Sequence, residues 1–173
     1  MIISRRAYFQ GLLAVLLLFS AAFVVSAQKN GVTVLTGAAL TKVVPTSFYF
    51  AGQSAQTQMR NSAAAQFGAN RYVIVGLVDT SGYSTEISGK YEGFFITDSP
   101  VKIGNKKLDT GAYGFGFSST GEIRIFDLSS KDIFSTATTN DSSIKRPRPL
   151  MITADGGNIR LYKGKAYVVV SPN

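Results

Sequence analysis

Between Tyr72 and Val170, large apolar residues keep returning at every second position, a period that suits strands and that a helix cannot use. Glu122-Ile123-Arg124-Ile125-Phe126 alternates cleanly, with Ile123 and Ile125 inward. Gly111-Ala112-Tyr113-Gly114-Phe115-Gly116-Phe117 alternates small with aromatic residues. One face of that strand carries Tyr113, Phe115 and Phe117, and the other is nearly bare. A bare glycine face lets another backbone or a ligand come close. Tyr72-Val73-Ile74-Val75-Gly76-Leu77-Val78 is almost continuously apolar, which predicts a strand covered on both sides. Asp79 to Gly82, Asp98-Ser99-Pro100, Ser118 to Gly121, Asp155 to Asn158 and Lys163-Gly164 supply the turns. Turns at about the 8–12-residue spacing predict an all-β chain, a single antiparallel β-sandwich or closed barrel of roughly nine or ten short strands.

The stretch before Tyr72 is less regular. Val32 to Leu35 reads as a first strand or ordered arm, and Val43 to Phe50 as a strand placed at an edge or bulge by Pro45. Ala51 to Phe67 is rich in Ala and Gln, and Asn61-Ser62 would interrupt a helix there. It is either the one helix of the domain or, the reading adopted, an extended or irregular segment. If extended, it puts Gln56, Gln58 and Arg60 on one face and Ala55, Thr57 and Met59 on the other.

Residues 1–27 carry the address. Arg5 and Arg6 precede an apolar run from Leu12 to Val25 broken by Ser20, and Val25-Ser26-Ala27 offers small residues to a signal peptidase. The run falls short of the ~20 apolar residues that cross a bilayer. The expected organisation is a signal peptide over 1–27 and a single β-rich domain over 28–173, exported to the periplasm or outside the cell, with no stable membrane span after cleavage. Ser4-Arg5-Arg6-Ala7-Tyr8-Phe9 resembles the twin-arginine export signal, while the apolar core suits the general secretory route. Both routes stay open. Without cysteine there can be no disulfide, so the domain must be held by its core alone.

The chain also lacks histidine, which removes the commonest general base and metal ligand together with Ser-His-Asp and Cys-His catalysis. Leu108-Asp109-Thr110-Gly111-Ala112 resembles the catalytic turn of aspartic proteases. Gly104-Asn105-Lys106-Lys107 stands where that family has an apolar strand. The same residues also resemble a β-sandwich turn in which Leu108 plugs the core, Gly111 makes the bend and Tyr113 opens the next strand. The turn is the reading adopted. Asp79 is expected to cap backbone N–H groups. Asp79, Glu86 and Asp98 lack calcium-loop spacing. No catalytic residue, metal or cofactor is assigned.

Two segments cluster polar groups without an evident strand role. Lys145-Arg146-Pro147-Arg148-Pro149 is the densest basic run, a semi-extended strip suited to phosphate, sulfate or uronate groups or, equally, a charged edge that deters strand addition. Gln53, Gln56, Gln58, Arg60 and Asn61 form an amide-dense stretch suited to sugar hydroxyls or to packing on their own domain. The candidate binding residues are therefore Gln53, Gln56, Gln58, Arg60, Asn61, Lys145, Arg146 and Arg148. The formal charge of +8, two units of which leave with Arg5 and Arg6, favours an anionic partner. Nucleic acid is not expected behind an export signal.

Phe48-Tyr49-Phe50-Ala51-Gly52-Gln53, Val78 to Ser84, Gly111 to Phe117 and Arg146-Pro147-Arg148-Pro149-Leu150 together resemble uncharacterised small exported bacterial β-rich proteins. The resemblance implies fold and location, and no activity. The expected function is non-enzymatic binding of a ligand or polymer, such as an anionic envelope polysaccharide or another envelope protein. The alternatives are an envelope structural or assembly subunit using an exposed strand edge, or a hydrolase using carboxylates.

Overall fold

A computed structural model describes residues 31–173, so the expected signal peptide and cleavage site lie outside the described residues. Among the described residues fourteen strands form two antiparallel sheets. The larger sheet runs in the order β1 (Val32–Leu35), β3 (Gln53–Phe67), β4 (Arg71–Val78), β5 (Gly93–Thr97), β8 (Gly111–Phe117), β9 (Glu122–Phe126), β10 (Asp132–Ala137), with β2 (Ser47–Phe50) paired to the start of β3. The smaller runs β12 (Arg148–Asp155), β13 (Asn158–Gly164), β14 (Ala166–Pro172), β6 (Val101–Ile103), β7 (Lys106–Leu108), with β11 (Thr139–Asn140) on β14. Neither sheet closes into a barrel, so the barrel alternative is corrected. The strand number is corrected too. Segments of two or three residues such as β6, β7 and β11 hold too few alternations to stand out in a sequence.

The alternation sorts side chains onto the two faces of the larger sheet. Val73, Val75, Phe95, Phe115, Ile123 and Ile125 point to one side and meet Val101, Ile103, Leu150, Ile152, Ile159, Leu161, Val168 and Val170 of the smaller sheet. Ile74, Phe94 and Phe126 point to the other, where the β2–β3 hairpin and helix α1 (Gly37–Val43) cover them with Phe48, Phe50, Ala55, Leu40 and Val43. The near-continuous apolar run of β4 follows directly, because that strand has neighbours on both faces.

The bare face of β8 is filled. A side-chain carbon built on Gly114 would sit 2.3 Å from Phe50 Cε2, and one on Gly116 would sit 1.8 Å from the Lys90 carbonyl oxygen. The glycines admit a phenyl ring and a backbone, so that face is core and holds no ligand space. Phe50 stacks on Tyr91 at 3.8 Å between ring centres and meets Tyr83 and Phe126 edge-on. It enters at the tight β2–β3 turn, where Ala51 and Gly52 both have positive φ and Ala51 N donates to Leu128 O.

Tyr91 is fully buried in this cluster, and among the described residues its hydroxyl has no hydrogen-bond partner. Burial, and then the neighbouring Tyr83 phenol, push its ionisation well above the ordinary phenol range; burial raises Tyr83 as well. A phenol that ionises near pH 10 when unfolded and only above that when folded contributes stability below about pH 10 and loses it as pH rises further. Stability is expected to fall above that pH. Tyr91→Phe should lessen the fall without cost at neutral pH, since it removes an unpaired hydroxyl. Urea midpoints measured from about pH 8 to 11 check both statements.

Leu108 is buried at the step from β7 in the smaller sheet to β8 in the larger, and the Tyr113 hydroxyl donates to Asp109 O at 3.0 Å. The tyrosine thus ties down the crossing between sheets, much as a tyrosine corner does. Asp109 itself is exposed in the bend. A second tie is the Lys163–Glu92 ion pair, with Glu92 also accepting from Phe117 N. Among the described residues no helix is long and apolar enough to cross a membrane.

Candidate functional site

The carboxylates are mostly committed to local structure. Asp79, Asp127 and Asp141 each accept from the backbone N–H two residues on, at Ser81, Ser129 and Ser143. The Ser81 N–H holds the Asp79 carboxyl below the usual range; for Asp127 and Asp141 the Ser129 and Ser143 hydroxyls, which also donate to them, do most of this, with Tyr162 donating to Asp141 as well. Asp98 accepts from Tyr72 N, Asp132 pairs with Arg124, and Asp155 pairs with Arg160. Asp79 therefore does what its turn predicts.

The amide segment is largely packed onto its own domain. Gln53 Nε2 donates to Gly82 O, and Tyr83 donates back to Gln53 O. Gln58 Nε2 donates to Val78 O while its Oε1 accepts from Asn61 Nδ2. Gln56 is exposed, and its carbonyl accepts from Asp79 N. The facing predicted for this stretch is the one observed: Gln56, Gln58 and Arg60 are exposed, while Ala55, Thr57 and Met59 turn inward.

Arg60 differs from its neighbours because the ladder changes there. β3 pairs with β4 at Thr57↔Val78 and resumes at Ser62↔Gly76, so Gln58 to Asn61 bulge out. On the other side β1 ends at Leu35, opposite Ala64, and the chain leaves into α1. The edge of β3 around Arg60 and Ser62 is thereby uncovered. β12, the edge strand of the smaller sheet, comes beside it, and the two leave a cleft of about 290 Å³. Val34, Leu35 and Leu40 line one wall and Leu150, Met151 and Ile152 the other, with Arg60 and Arg148 as its charges.

The structure thus joins one residue from each predicted segment. Neither Arg60 nor Arg148 is in an ion pair among the described residues, and no acidic residue lines the cleft. Lys145 and Arg146 lie exposed in the loop leading into β12, whereas Gln53, Gln56, Gln58 and Asn61 are elsewhere. Two other clefts lack free charge. The one beside Gln58, Thr80 and Tyr91 holds Glu92, and the one beside Phe117, Ser118 and Thr138 holds Lys163, and these two residues pair with each other.

The apolar walls were not anticipated from sequence. The one signal was Val34-Leu35 running into Ala38-Ala39-Leu40 without a covering charge. Comparison with known proteins returns no matching family model, no matching curated protein and no matching solved structure, so the site stands on its geometry.

Proposed function

We propose that this chain is an exported, non-enzymatic β-sandwich domain that binds an anionic polymer of the cell envelope through Arg60, Arg148, Lys145 and Arg146. The observation that carries the reading is the convergence of Arg60 and Arg148, from distant segments, on a cleft with no acidic group in its lining. Two unpaired guanidiniums in one cleft repel each other and are stabilised by a shared anion. Their planar donor forks suit carboxylate and phosphate oxygens. Commitment of most carboxylates to turns and ion pairs, with no histidine or cysteine, favours binding over catalysis.

The test is retention on an immobilised polyuronate. The protein is expected to bind at about 20 mM salt and to elute well before 0.5 M, as exposed charge pairs are screened. Replacing Lys145, Arg146 and Arg148 together by Ser is expected to weaken retention at least about tenfold, equivalent to 1.4 kcal/mol. Unchanged retention at low salt would discard the basic strip as the contact.

A further inference from the structure

We infer that the cleft between β1, α1 and β12 accepts an anionic group carried on an apolar chain, so that the polymer bound is an acylated one. This rests on the binding reading above and narrows its ligand. The cleft pairs two chemistries that a plain polyanion would not use together. Arg60 and Arg148 are exposed and offer donor forks, yet most of the remaining lining is aliphatic: Val34, Leu35, Leu40, Leu150, Met151 and Ile152.

Val34, Leu35, Leu40 and Met151 are only half-buried. Val34 packs against the core between the sheets and Leu40 against the core under the hairpin, so the cleft lies where both cores run out. A bare phosphate or carboxylate would satisfy the guanidiniums and leave these walls wet. A sugar ring finds no aromatic platform, since among the described residues no aromatic one lines the cleft. A cleft of about 290 Å³ is larger than a lone phosphate or carboxylate needs and has room for an anionic head with a short run of methylenes. Each methylene buried should raise affinity by about fourfold.

The probes are hexyl phosphate, inorganic phosphate and hexanol, titrated into the protein and followed by methyl and amide resonances. Hexyl phosphate is expected to bind at least thirtyfold more tightly than either fragment, shifting Val34, Leu35, Leu40 and Met151. Arg60→Gln with Arg148→Gln, both at exposed positions, is expected to weaken it at least tenfold with the spectrum otherwise retained. Lys106→Ser with Lys107→Ser, at the opposite edge of the smaller sheet, is the charge-matched control and should change nothing.

Equal affinity for hexyl phosphate and inorganic phosphate would overturn the acyl inference, and so would an equal loss in the control variant. Polyuronate retention is scored separately. Its absence in a protein that still binds hexyl phosphate at the cleft would overturn the polymer reading alone.

Discussion

Phe50→Ala is expected to destabilise the fold by about 3–5 kcal/mol, the range for removing a buried aromatic ring. Phe50 is fully buried, stacked on Tyr91, edge-on to Tyr83 and Phe126, and seated over Gly114. Gly114 beneath the ring has no side chain with which to fill the space. The loss should also loosen the hairpin carrying β2, since Phe50 and Phe48 are what that strand buries. Urea unfolding monitored by far-ultraviolet circular dichroism gives the number. A cost below about 1 kcal/mol would mean that the hairpin is not packed on the larger sheet.

Gly116→Ala tests the same face by addition. The new methyl would fall 1.8 Å from the Lys90 carbonyl oxygen, which belongs to backbone and cannot rotate away. Overpacking of this kind costs about 1–3 kcal/mol, and a backbone obstacle places this case at about 3. Gly157→Ala is the comparison, because nothing lies within 4 Å of its side-chain position and its φ is not positive. It should leave stability within about 0.5 kcal/mol. Equal effects at the two positions would contradict the close approach at Gly116.

What could be read from the sequence was whatever depends on neighbours in the chain. The alternation in β8 and β9, the two-sided burial of β4 and the cap at Asp79 are local patterns with local physical causes. The facing of Gln56, Gln58 and Arg60 held because β3 is extended despite its poor strand propensity. Pairing with β2, β4 and β1 in turn overrides that propensity.

Helix α1 was not foreseen. It spans seven residues, starts at a glycine, lacks a side-chain cap and buries no residue fully, so it carries none of the usual signals. The glycine face of β8 posed a question that its own sequence could not settle. Phe50, which fills it, arrives from another strand. The cleft was illegible for the same reason. Arg60 and Arg148 were each visible as candidates, but their meeting depends on the bulge in β3 and on β12 docking beside it.

If Arg60 and Arg148 act on one ligand, as proposed, a double-mutant cycle on polyuronate retention will show it. Arg60→Gln, Arg148→Gln and the double variant are compared with the unaltered protein at a fixed low salt concentration. Residues sharing a bound anion are expected to be coupled by at least about 0.5 kcal/mol, the double variant losing less than the two single losses combined. Losses that add within about 0.3 kcal/mol would show two independent charges on a diffuse basic surface, and would contradict a shared site.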